Sequence, residues 1–280
     1  MVNSSIAITV TEELLNRFVD WLKNEQGTSE STIRKYMYYL PKLKGFTFKG
    51  KEDVSRAFDL MKLTKTSYEA LSRLFTFIEK KLEGYEELVY RLRKAMPRKP
   101  QSRQDTYIPP DSKIYHLRDR IKQLGEPYAT IYNILVCSGC RIVEAYKLIA
   151  EYDPNRLVKL SSKACRYHID LERKSKNVLI IYLPVKVAEQ AARLRNIRLP
   201  HIDTVEDKFR ESGLSGKYLR KWFRQLLKKL RVDSEVIEFI QGRKSALGIG
   251  GKHYTDYIPL ADQEYIEKIY PVIKKYLISR

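Results

Sequence analysis

The sequence predicts a mainly α-helical protein of the α+β kind: a helical N-terminal bundle at residues 1–95, a linker at 96–110, and a mixed, mostly helical second domain at 111–280 that carries a small antiparallel sheet. Three observations predict it. Apolar residues recur at helical spacing through the first hundred positions, a proline-bearing segment interrupts that pattern, and one stretch beyond it has strand character on both sides of a polar turn. A chain of 280 residues suits about two ordinary domains, and its 43% hydrophobic content lets both bury a core.

In the first domain, Leu14, Leu15, Phe18, Trp21 and Leu22 form one apolar stripe. Ile33, Tyr36, Met37, Leu40 and Leu43 form a second behind a Ser29/Ser31 cap region, and Leu71, Leu74, Phe75, Ile78 and Leu82 form a third. No convincing strand is expected here. The outer faces are basic at Arg34, Lys35, Lys42 and Lys44; any one such lysine reads as part of a solvated face. From Lys94 to Asp111 the sequence KAMPRKPQSRQDTYIPPD holds four prolines and no apolar period, which favours extended backbone. Its basic residues Arg98, Lys99 and Arg103 could follow a line of phosphates, or the segment could be an ordinary hinge.

A helix is then expected from about Pro127 to Val136, a break at Ser138-Gly139, and a second helix from around Cys140. Arg166–Glu172 (RYHIDLE), a polar turn at 173–177 and Val178–Leu183 (VLIIYL) read as a hairpin. The remainder is mostly helical.

Lysine and arginine total 53 against 34 acidic residues, a net charge of +19, which calls for a polyanionic partner. Nucleic acid is the first candidate and an anionic membrane the second. The longest apolar run, about Val178–Val185, falls far short of the roughly 20 residues of a bilayer span, and the first residues lack a basic-then-apolar leader, so the chain is expected to be soluble and intracellular. Cys137, Cys140 and Cys165 cannot close a disulfide framework or complete a zinc site, and read as small buried hydrophobes in a reducing compartment.

The segment Lys217–Arg231 (KYLRKWFRQLLKKLR) has seven basic residues and no acid. Leu219, Trp222, Phe223, Leu226, Leu227 and Leu230 share one helical face; Lys217, Arg220, Lys221, Arg224, Lys228 and Arg231 occupy the other. Because the apolar side is wanted for the core of a small domain, the basic side is assigned to DNA ahead of membrane. With Arg34 and Lys35, the residues Lys221, Arg224 and Lys228 are the expected DNA contacts.

Four separated pieces then stand in a telling order. Ser138-Gly139-Cys140-Arg141-Ile142-Val143-Glu144 resembles the first box of the tyrosine recombinases, where a glycine-containing turn opens a helix and places an arginine, with an acid three residues on. Lys217-Tyr218-Leu219-Arg220 resembles the second box, His-x-x-Arg, with lysine in the histidine's place. Gln241-Gly242-Arg243 is similar to the family's Leu-Gly-His, and Lys252-His253-Tyr254-Thr255 to the segment bearing its nucleophilic tyrosine. The hairpin lysine lies between the arginine boxes, as in the family. The stretch from Glu25 to Ile33 resembles the start of the family's DNA-gripping domain, and lysine and arginine in place of two histidines resemble the integrases of archaeal viruses and plasmids. Each piece alone is a common surface motif; their order on a basic chain is what carries weight.

The resemblance implies strand cleavage and rejoining through a 3′-phosphotyrosine, for integration or excision of a mobile element, with no cofactor and no metal. It also implies two domains closing around double-stranded attachment sites, with a monomer in solution assembling as a homotetramer on DNA in the cytoplasm or nucleoid of a prokaryotic host. In-line attack concentrates negative charge on the non-bridging oxygens, which Arg141 and Arg220 would hold through paired, permanently charged donors; such donors are worth about 3–4 kcal/mol each. The phenol of Tyr254, the assigned nucleophile, is roughly one part in a thousand ionised at pH 7. Lys217 can accept its proton only if neighbouring arginines lower the lysine pKa, and Arg243 can only donate. The hairpin lysine, Lys176 with Lys174 as the alternative, would protonate the leaving oxygen. Glu144 would buttress an arginine or cap a turn, and Tyr257 is the rival nucleophile. The segment 242–251 runs about two residues longer than the family's spacing and contains Gly248, Gly250 and Gly251, so it is expected to be mobile. Two other readings stay open: a type IB topoisomerase-like relaxing enzyme, and a DNA-binding module without catalysis.

Overall fold

The computed structural model describes residues 6–101, 105–171, 178–242 and 254–278, with the backbone alone at 170–171, 178–179 and 254–256. The chain forms two compact units, Met1–Asp105 and Thr106–Arg280.

The first unit is built from helices α1 (Glu12–Asn24), α2 (Glu30–Tyr39), α3 (Glu52–Met61), α4 (Lys65–Lys81) and α5 (Glu86–Lys94). Local chemistry sets their ends. The Thr11 hydroxyl accepts from the Leu14 N–H at 3.1 Å, and Thr64 and Ser67 cap α4 reciprocally. Leu14, Leu15, Phe18, Trp21, Ile33, Leu71, Leu74, Phe75 and Ile78 meet in one core, as their spacing predicts. The expectation of no strand is corrected: β1 (Ile8–Thr9) pairs antiparallel with β2 (Thr47–Phe48). Strands of two residues are too short to display an alternation, and these form because Ile8, Val10 and Phe48 are drawn into the helical core. The proline segment is divided between the units: Lys99 pairs with Glu69 at 2.8 Å, whereas the Tyr107 ring packs edge-on against Tyr218 at 5.2 Å.

The second unit is arranged around α7 (Glu126–Ser138), whose residues from Thr130 to Ser138 are all buried. A helix apolar all round has no solvent face and must be covered on every side. Around it lie α6 (Asp111–Lys122), α9 (Val185–Leu194) and α11 (Gly216–Lys229), together with a sheet of strand order β3 (Leu157–Lys159), β4 (Ala164–Leu171) and β5 (Val178–Pro184). The hairpin of β4 and β5 is where the sequence places it, with Arg166 opposite Tyr182; β3 adds a third strand not anticipated. Helices α8 (Ile142–Ala150), α10 (Ile202–Glu211), α12 (Ser234–Ile240) and α13 (Tyr254–Glu264) complete the layer.

Beyond α13, Tyr265, Ile269, Ile273, Tyr276 and Ile278 are buried in the core of their own unit. The Tyr276 hydroxyl donates to Asp111 at 2.6 Å, and the Asn133 side chain holds the Ile278 backbone at both its N–H and its carbonyl, 2.8 and 3.2 Å away. The C-terminal segment thus packs on its own unit. No helix among the described residues is long and apolar enough to cross a membrane.

Candidate active site

The site starts from a turn only glycine can make. Helix α7 ends on Gly139 in the left-handed region at φ +62°, and a Cβ there would lie 2.3 Å from Cδ1 of Phe223 on α11. A second close contact, Gly216 against Ile142, brings the first turn of α11 onto α8. The two arginine-bearing segments are therefore pressed together at two points, in each of which a glycine on one side receives an apolar side chain from the other.

Arg141 caps α8. Its backbone N–H donates to Glu144 Oε2 at 2.7 Å and its Nη1 to Glu144 Oε1, so both oxygens of a carboxylate that is 1% exposed serve one residue. Such charge-assisted bonds are the strong ones and hold the arginine in one orientation. Glu144 thereby both buttresses the arginine and closes the turn. From α11, Arg220 donates Nη1 to the Gly139 carbonyl at 2.8 Å and Nη2 to the Gln241 carbonyl. In return the Gln241 amide donates to the Arg220 carbonyl at 3.1 Å. Two of five guanidinium donors set on fixed backbone carbonyls orient the plane of the group.

Arg220 is thus bonded within two residues of Arg141, and the far side of the same guanidinium touches the residue before Gly242-Arg243. The neighbouring Cys140 thiol is pushed up to about 12, by burial first and Glu144 second, against the pull of Ser138 and of both arginines. Segments 81 and 21 residues apart in the chain converge on one turn.

Lys217 is exposed at the start of α11, its Nζ 4.6 Å from the Tyr218 ring centroid. Lys221 approaches the same ring at 5.3 Å and donates to the Tyr107 carbonyl at 3.4 Å. On the rest of this helix Leu219, Trp222, Phe223, Leu226 and Leu227 are buried and Lys228 is exposed, but Arg224 departs from the expected outward cation: it is ion-paired with Glu238 of α12. A single helix's periodicity cannot show which helix will cover its flank. In the first unit Lys35 is exposed, and Arg34 makes a 3.4 Å pair with Glu30 in which both side chains are more than three-quarters exposed, so solvent screens it.

Tyr254 is the first residue of α13; its side chain, like Lys174, Lys176 and Arg243, lies outside the described residues. Tyr257, one turn on, donates its hydroxyl to Glu235 and packs its ring 6.0 Å from Phe239. Among the described residues no group of three or more His, Cys, Asp or Glu side chains could hold a metal ion.

Sequence reasoning missed two participants. Gln241 is fully buried between apolar residues, and the signal was there: an amide following Phe239-Ile240, where the related box has leucine, needs a buried hydrogen-bond partner. Tyr107 with Tyr218 builds a cation-lined aromatic corner that no spacing announces.

Comparison with solved structures gives the class. The chain superposes on a lambda integrase dimer bound to a COC′ core site with a TM-score of 0.58 at 13% identity, covering 91% of this chain and 79% of that one. It also superposes on a lambda integrase tetramer bound to a Holliday junction with a TM-score of 0.59 at 15% identity, covering 89% and 81%. The fold is that of a tyrosine recombinase. A comparison with curated protein sequences finds no match. The archaeal phage integrase profile matches residues 106–270, well over half of the chain, and the protein belongs to that family.

Proposed function

We propose that this protein is a site-specific DNA recombinase that integrates or excises a mobile element by way of a 3′-phosphotyrosine. The observation that carries the reading is the bond from Arg220 to the carbonyl of Gly139, which ties the second arginine to the turn presenting the first. Two permanently charged guanidiniums at one place suit a phosphodiester whose non-bridging oxygens gain charge in the transition state.

In the proposed reaction the Tyr254 phenolic oxygen attacks phosphorus, a bond to it forms, and the bond to the 5′-oxygen breaks. Arg141 and Arg220 hold the non-bridging oxygens, with Arg243 as a third donor. Lys217, once the field of the neighbouring arginines has driven off its own ammonium proton, takes the phenolic proton, and Lys176, or Lys174 in its stead, protonates the departing 5′-oxygen. Attack by that hydroxyl on the phosphotyrosine of a partner strand reverses the step and rejoins DNA without another energy source. Glu144 positions Arg141. The engagement of Tyr257 with Glu235 supports Tyr254 as the nucleophile. Arg34, Lys35, Lys221 and Lys228 would follow the phosphates of a double-stranded attachment site, on which monomers assemble as a homotetramer inside a prokaryotic cell. The lambda integrase assemblies on a core site and a Holliday junction support this partner and this stoichiometry.

A nicked suicide substrate carrying attachment-site DNA tests the proposal. The wild-type protein should accumulate a covalent adduct whose modified peptide contains Tyr254, and Tyr254→Phe should bind DNA with unchanged affinity and form none. Arg141→Ala and Arg220→Ala should lose cleavage by about a hundredfold or more with much smaller losses in binding. Undiminished adduct in Tyr254→Phe would overturn the assignment of the nucleophile, and supercoil relaxation by monomers with no recombinant product would overturn the recombinase reading.

A further inference from the structure

Helix α13 is weak in its own backbone. It is 11 residues long with Pro259 in its interior, where the missing N–H and the ring together cost about 3 kcal/mol. It runs on without a break into the π-helical stretch Tyr265–Ile269, whose Tyr265 and Ile269 are buried in the core. Its placement comes from that continuation, from the buried Ala261, and from two side-chain anchors. Tyr257 holds the first half to Glu235 at the exposed start of α12. In the second half, Asp262 reaches the sheet: Oδ2 accepts from Arg166 Nη1 of β4, and Oδ1 accepts from the Tyr182 hydroxyl of β5 at 2.8 Å.

This second anchor is built differently from a surface pair. Arg166 and Tyr182 are direct cross-strand partners, so both donors come from one rung of the hairpin and converge on one carboxylate. The Tyr182 ring is fully buried and stacks on Tyr265 at 5.1 Å, and the Tyr265 hydroxyl donates to the Cys137 carbonyl on α7. Both charged side chains are about four-fifths covered. Burial raises the Asp262 carboxyl above the usual range, against the pull of the Tyr182 bond, Arg166 and His168. The Arg166 Nε is itself buried without a hydrogen-bond partner. A desolvated carboxylate and an orphaned donor both cost stability, and the sheet carries them to fasten a helix whose first residue is Tyr254.

We infer that Asp262, gripped by Arg166 and Tyr182, is the positioning residue that fixes the tyrosine-bearing helix against the hairpin, and so sets where the nucleophile stands. The inference rests on the assignment of Tyr254 above. Asp262 lies eight residues on, roughly 12 Å along the helix at 1.5 Å per residue, so it acts through the helix and touches no reacting atom. Misplacement of a reacting group by about 1 Å costs on the order of a hundredfold in rate.

The test measures adduct formation on the nicked substrate at saturating protein, together with DNA affinity and melting temperature, for wild type, Asp262→Asn, Tyr182→Phe, Arg166→Gln and the Asp262→Asn/Arg166→Gln pair. Asp262→Asn keeps size but loses the ion pair, and should slow cleavage by about 10- to 100-fold while the DNA Kd stays within about twofold. Tyr182→Phe and Arg166→Gln each remove one arm and should slow cleavage less. The paired variant should be no slower than Asp262→Asn alone, because the two changes break one interaction. Wild-type cleavage rates in Asp262→Asn and Tyr182→Phe would overturn the positioning role while leaving the tyrosine assignment intact. A parallel fall in cleavage, affinity and melting temperature across the variants would overturn it too, in favour of a purely structural pair. Failure of the wild type to form any adduct would instead remove the reading on which the proposal stands.

Discussion

Adding one methyl group at Gly139 should cost the second unit about 2–5 kcal/mol, from two separable sources. The backbone there has φ +62°, where a side chain costs about 1–2 kcal/mol. The new Cβ would also lie 2.3, 2.8 and 3.1 Å from Cδ1, Cγ and Cβ of Phe223, distances that force helix α11 or its ring to move; overpacking of that kind costs about 1–3 kcal/mol. Gly27 provides the comparison, for it has nearly the same φ, +55°, but nothing within 4 Å of its Cβ position, so Gly27→Ala carries the backbone cost alone. In a unit of this size each kcal/mol lowers Tm by about 2–4 °C. Gly139→Ala should therefore melt about 5–15 °C below wild type and lose clearly more unfolding free energy than Gly27→Ala, measured by calorimetry and by urea titration. Because Arg220 is bonded to the Gly139 carbonyl, the same variant should lose DNA cleavage at temperatures where it remains folded. Equal losses of unfolding free energy for Gly139→Ala and Gly27→Ala would refute the close approach of α11 to the α7–α8 turn, and with it the convergence of the arginines.

Two further outcomes follow from the geometry. Lys228→Ala should weaken DNA binding and lower the salt slope by about 0.9, whereas Arg224→Ala should leave that slope nearly unchanged and destabilise the fold, since it removes the ion pair that joins α11 to α12; titrations at several salt concentrations and a melting curve separate the two. Asp111 is an acid-sensitive, half-buried group of the second unit: burial works against its charge, but bonds from Trp222 and Tyr276 outweigh it and hold the carboxyl below the usual range. A carboxylate with a lowered folded pKa contributes stability above its unfolded pKa of about 3.9 and loses it as pH falls through the folded value. Melting temperature should drop in wild type below about pH 4, and Asp111→Asn should start lower at neutral pH and flatten that drop.

The sequence by itself determined what is local. Leu14 to Leu22 and Leu219 to Leu227 are read as buried stripes because side chains three and four apart share a helical face whatever lies opposite. The hairpin is read from strand-forming runs on both sides of a polar turn, and the order of Arg141, Arg220, Arg243 and Tyr254 is readable because a linear motif needs no geometry. Periodicity says which face is covered but is silent on what covers it. Only the tertiary structure could decide that Arg224 meets Glu238, that the C-terminal segment returns to Asn133 and Asp111, that two-residue strands pair across the first unit, and that Asp262 bridges a helix to a single rung of the sheet. The contact that matters most, Arg220 on Gly139, joins positions 81 residues apart. It exists because two glycines let two helices approach to contact distance, a property of the folded arrangement that neither segment carries alone.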